Sequence, residues 1–179
     1  MISSKKQIIH SIDFIYGRLN SVNTKSLISL CLKNKNKKLS KDVNHTRNED
    51  VELPLNKDIK TIVYQLIDRY KHHYDREIGL INFWGHVHDK NESTQLHNHI
   101  DLDYYKDSPN VSAVYYLQVP KNSGDLIIQY NKNKYEINHW IFPPEDNKYI
   151  MFPAALDHKV QKNLDNQQRI SLSFNFKYV

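Results

Sequence analysis

Glycine is scarce in this 179-residue chain, at 4 residues, and cysteine is nearly missing, with Cys31 alone. So few glycines argue against a glycine-rich loop that cradles phosphate, where backbone must approach the ligand closely. One cysteine excludes an internal disulfide and a cysteine-based zinc site. No stretch approaches the roughly 20 apolar residues that span a bilayer. The opening Met1-Ile-Ser-Ser-Lys-Lys lacks the apolar run of a secretory leader. Together these absences lead us to expect a reducing, cytoplasmic setting and no membrane association.

What remains is globular in balance, with 39% hydrophobic and 25% charged residues. The length suits a single domain, 1–179. Net charge is +5 and unevenly placed: residues 1–83 carry 15 Lys/Arg against 9 Asp/Glu, while residues 84–179 carry 10 against 11. Much of the excess lies in Lys33, Lys35, Lys37, Lys38 and Lys41. A solvated loop accounts for such a run, and an acidic partner such as nucleic acid is the alternative. Aromatic residues are not interleaved with these lysines, which weakens the nucleic-acid reading.

The chain divides by periodicity. Residues 1–77 read as helical: Ile8, Ile12, Ile15 and Leu19 recur at helical spacing, Lys25 to Lys33 suits a short helix, and Leu55 to Tyr70 marks an amphipathic helix over about Asn56 to His73. Residues 78–179 change character. Short runs rich in β-branched and aromatic residues, Leu80 to Trp84, Val111 to Val119, Asp125 to Tyr130, Lys148 to Phe152 and Arg169 to Phe176, are separated by turn clusters. The expected fold is therefore α+β and mainly β, a jelly roll with helices of the N-terminal half packed on it. His139 and Trp140 read as flanking a lid or loop, and His86 and His88 as an exposed strand end.

Ten histidines are present, and they cluster. In Gln95-Leu-His97-Asn-His99-Ile-Asp101, an extended backbone would turn His97, His99, Asp101 and Asp103 to one side. Imidazoles and carboxylates crowded on one face are costly without a cation, and two histidines with one carboxylate suit Fe(II) while leaving positions open for substrates. His-x-Asp is common by chance and needs a distant third ligand. Phe152-Pro-Ala-Ala-Leu-Asp-His158 supplies one. The last strand adds a cation: Ile170, Leu172, Phe174 and Phe176 fall on one face, Arg169, Ser171, Ser173 and Asn175 on the other. An arginine in Arg-x-Ser can hold a carboxylate bidentately, with the serine hydroxyl adding a bond. Of Tyr115 and Tyr116, which face opposite sides of their strand, one is placed to enter such a cavity.

Taken together, His97-Asn-His99, Ser112-Ala-Val-Tyr-Tyr116, Phe152 to His158 and Arg169-Ile-Ser-Leu-Ser-Phe-Asn175 resemble the small Fe(II)- and 2-oxoglutarate-dependent dioxygenases. The resemblance covers roughly Trp84 to Phe176. It implies a double-stranded β-helix holding Fe(II) at its open end, with Arg169 and Ser171 binding the far carboxylate of 2-oxoglutarate. It also implies decarboxylation of that cosubstrate to succinate and CO2, coupled to hydroxylation of a small-molecule, peptide or protein substrate. Ala113 replaces a glycine of the narrow family, and the segment from Asp101 to Asn110 is longer. The broad superfamily pattern makes His99, Asp101 and His158 the metal ligands; the narrow one pairs His97 with His99. The expectation carried forward is His99, Asp101 and His158, with His97 as the alternative ligand. A cupin-like barrel that binds a metal or ligand without oxidising it is the rival.

Overall fold

The computed structural model describes residues 12–37, 50–130 and 137–179. Its frame is two antiparallel sheets. The larger contains β1 (Ile15–Arg18), β8 (Lys148–Pro153), β5 (Val111–Gln118), β10 (Arg169–Tyr178), β3 (Ile78–His88) and β2 (Asp50–Val51), in that spatial order. The smaller runs β4 (Thr94–His97), β9 (His158–Val160), β6 (Leu126–Tyr130) and β7 (Asn138–Phe142). This is the mainly β, jelly-roll architecture expected from the sequence.

Two helices cover the outer face of the larger sheet. α1 (Thr24–Asn34) starts where Asn23 accepts from the Ser26 amide at 3.2 Å. α2 (Lys57–Tyr74) is capped likewise by Asn56, which accepts from the Ile59 amide at 2.9 Å, and it ends on Asp75 in the left-handed region. Leu27 and Cys31 of α1 and Ile59, Ile62 and Leu66 of α2 are buried in one core with Ile170, Leu172, Phe174 and Phe176 of β10. Burial pushes the Cys31 thiol up to about 12, so it stays protonated and inert. A second core, Tyr116, Leu126, Ile128, Phe142, Ile150 and Phe152, joins the two sheets from within. β10 is thus buried on both faces, its even positions against the helices and its odd positions against the interior.

Three local expectations are corrected. The stretch around Ile15 is strand, not helix: Ile15 pairs with Met151 and Arg18 with Lys148 at the sheet edge. Pairing with a strand over 130 residues away overrides a weak local period; Ile8 lies outside the described residues. Asn138–Phe142, expected as lid or loop, pairs along its length with β6 and packs Trp140 against Phe14, ring centroids 4.4 Å apart. His86 and His88 are buried, not exposed, because β10 pairs along β3 as far as His88 and β2 covers its other side. In the lysine run, Lys35 is ion-paired with Asp89, while Lys38 and Lys41 lie outside the described residues. Among the described residues, no helix is long and apolar enough to cross a membrane.

Candidate active site

Strand register brings the first two histidines together. β4 and β9 run antiparallel with His97 directly opposite His158, and their ring centroids are 4.1 Å apart. After His97 the strand ends and the chain turns inward. The His99 amide donates to the Ala154 carbonyl at 3.0 Å, and the Asn98 side-chain amide donates to Asp157 Oδ1 at 2.8 Å. Each bond ties the histidine loop to the segment that leads into His158. His99 closes the group, 5.1 Å from His97 and 5.0 Å from His158 between ring centroids. One ring nitrogen from each of the three lies within 4.8 Å of the others, so a single ion could be held among them.

The donor chemistry fits a metal. His97 Nδ1 is 2.8 Å from the Gln95 carbonyl and His158 Nδ1 is 2.9 Å from the Leu156 carbonyl. A carbonyl only accepts, so each Nδ1 carries the proton and each Nε2 keeps its lone pair for an ion. Asp101 is not in this group. Its Oδ1 accepts from the amides of Asp103 at 2.9 Å and Tyr104 at 3.1 Å, closing a turn, and its own amide donates to Ser108 Oγ. Asp103 is exposed.

The cleft runs inward from the three imidazoles between the sheets to Arg169. The Arg169 side chain is 1% exposed, with Nη1 donating to the Gly124 carbonyl at 3.2 Å. Its Nε and the Tyr116 hydroxyl are buried without a well-formed hydrogen bond among the described residues. Two such groups at the end of one cavity fit a ligand carboxylate, which only accepts. Burial pulls the guanidinium pKa down, while Tyr116 and Asp125 push it back up. Burial likewise pushes the Tyr116 hydroxyl up to about 12, keeping it a donor. Ser171 lines the same cleft, as do Trp84, His86 and His88. Reading His86 and His88 as an exposed strand end had left them out of the cleft.

The family model described as "Putative 2OG-Fe(II) oxygenase" matches residues 82–175, over half of the chain. The chain belongs to this family. Fe(II) and 2-oxoglutarate are the cofactors of the oxygenase. No curated protein matches it by sequence. Solved structures that share its fold include a Trichoplax adhaerens prolyl hydroxylase in complex with a hypoxia-inducible-factor peptide fragment, at 17% identity and TM-score 0.64, covering 92% of this chain and 83% of that one. Another is the viral collagen prolyl hydroxylase of Paramecium bursaria Chlorella virus 1 with 2-oxoglutarate, at 14% identity and TM-score 0.61, covering 94% and 96%. A third is a Burkholderia pseudomallei oxidoreductase of the 2OG-Fe(II) oxygenase family, at 14% identity and TM-score 0.61, covering 92% and 84%.

The arginine rests on a turn that tolerates one residue type. Gly124 has φ +78°, and a Cβ there would lie 2.6 Å from the Gln161 carbonyl oxygen. Gly124→Ala should cost about 1–3 kcal/mol from backbone strain alone. We expect a lower thermal midpoint and a raised KM for 2-oxoglutarate, since the Gly124 carbonyl holds Arg169 from behind. An unchanged midpoint would show that the turn relaxes freely.

Proposed function

We propose that the oxygenase is a 2-oxoglutarate-dependent hydroxylase, with His97, His99 and His158 holding Fe(II) and with Arg169 and Ser171 holding the far carboxylate of 2-oxoglutarate. One observation carries this reading: three converging imidazoles and a buried arginine with unused donor capacity share one cleft. His97 takes the place beside His99 because it opposes His158 in register, whereas Asp101 is engaged in its own turn.

Bound Fe(II) with 2-oxoglutarate supplies the means to reduce O2 and oxidise a substrate C–H bond, with succinate and CO2 released. The chain supplies the order around it. Backbone carbonyls behind His97 and His158 hold both rings in the ligating tautomer. The Asn98–Asp157 bond keeps the two loops at one spacing. Arg169 offers a rigid fork and Tyr116 a neutral hydroxyl, so the cosubstrate is oriented before the substrate arrives. Phe152, Leu126 and Val160 line the same cleft and exclude water. The fold relatives named for prolyl residues and peptides support a peptide or protein substrate, and a small molecule is the other class of substrate consistent with the cleft.

Anaerobic addition of Fe(II) and 2-oxoglutarate should produce a visible metal-to-ligand charge-transfer band, and admitting air should release succinate. No band would sink the proposal. A band without succinate would favour the cupin-like binding module.

A further inference from the structure

One wall of the cleft carries a buried cluster with no part in the reading above. Asp50, His86, Trp84 and Ser173 are each under 10% exposed. Strand pairing assembles them: Asp50 of β2 is opposite His86 of β3, and Ser173 of β10 is opposite Trp84. His86 Nδ1 is 2.8 Å from Asp50 Oδ1. The Trp84 indole Nε1–H donates to His86 Nε2 at 3.0 Å, and Ser173 Oγ lies 2.9 Å from that same nitrogen.

Serine, histidine and carboxylate in this order have the outline of a nucleophilic triad. The indole argues against that use. His86 Nε2 has one lone pair and it faces the indole N–H, so it is poorly placed to take a hydroxyl proton from Ser173. The same bond fixes the tautomer. Because Nε2 accepts, Nδ1 carries the proton, and that nitrogen stands 2.8 Å from the Asp50 carboxylate. A buried carboxylate thus stands against the imidazole, and the imidazole accepts from the indole edge.

The indole packs on the metal centre. The Trp84 ring is 5.8 Å from the His99 ring between centroids. His97 and His158 are oriented by carbonyls of their own segments, while the ring packed on His99 from β3 belongs to Trp84. We infer that Asp50 and His86 form a positioning pair for the metal centre, acting through Trp84 to set the plane of His99. The inference rests on His99 being a ligand. It also gives the N-terminal half a part in the site, because Asp50 lies outside the matched residues 82–175.

Co(II) titrated into the full chain without cosubstrate tests this, since both its affinity and its visible d–d bands report on ligand geometry. Trp84→Phe keeps an aromatic ring and deletes the N–H. It should bind Co(II) about 10-fold more weakly, the low end of what outer partners of a ligand cost, with shifted bands and a folded circular dichroism spectrum. Asp50→Ala should do the same, and Asp50→Asn, which keeps an acceptor for His86 Nδ1–H, should recover most of the loss. Wild-type affinity and bands in Trp84→Phe would overturn the inference, and that variant decides alone if Asp50→Ala does not fold. Absence of Co(II) binding by the wild type, or binding that survives His158→Ala, would instead overturn the metal centre and the inference with it.

Discussion

His158→Ala should lose Fe(II) and, with it, all release of succinate from 2-oxoglutarate. Two imidazoles remain in that variant, but the smaller sheet sets His158 directly across the β4–β9 pair from His97, so its loss opens the group of three. Outer partners of metal ligands are worth about 10–100-fold in affinity, and loss of a ligand itself should exceed the upper figure. Metal content after dialysis and succinate formation check this. The same measurements fix the ligand register. If His97, His99 and His158 hold the ion, His97→Ala should be as severe as His158→Ala, and Asp101→Ala should retain metal, its cost limited to the turn that accepts the Asp103 and Tyr104 amides. The reverse pattern would restore Asp101 as the carboxylate ligand.

Arg169→Ala carries the second large effect, at the other end of the cleft. Truncating one partner of a buried, hydrogen-bonded charge pair costs about 2–5 kcal/mol, which corresponds to a rise of about 30-fold to several thousand-fold in KM for 2-oxoglutarate. Arg169→Lys should recover only part of it, because an ammonium cannot form the parallel two-bond fork. Metal affinity without cosubstrate should be unchanged in both variants. That separates them from His158→Ala and shows that the two ends of the cleft fail independently. A KM within threefold of wild type would remove Arg169 from the cosubstrate site.

Much of this was legible before any coordinates. The alternation of β10 was plain because a strand buried on both sides must serve two environments. That His158 and Arg169 line one cleft could be anticipated because each sits in a segment whose strand or turn character is unambiguous. α2 was visible because Ile59, Ile62, Val63 and Leu66 face one core.

That His97 rather than Asp101 converges with His99 and His158 was not legible, for a physical reason. The rule that residues two apart share a face holds only on an extended strand, and β4 stops at His97. Beyond it, Asn98 and Asp101 each use a side-chain oxygen to accept from the backbone two residues on, bending the chain into local turns. β1 and β2 were equally hidden, since strands of four and two residues exist through their distant partners rather than their own pattern. The burial of His86 followed from β2, so the Asp50 contact could not be anticipated from spacing.

β10 has a consequence for how such a protein diversifies. Its residues alternate between cleft and helix-facing core, with Arg169, Ser171, Ser173 and Asn175 buried on one side and Ile170, Leu172, Phe174 and Phe176 on the other. Chemistry and scaffold are therefore written on one strand in separate registers. A lineage can revise the reaction chamber at every second position while the helices continue to recognise the same apolar surface, and a single-residue insertion would exchange the two at once.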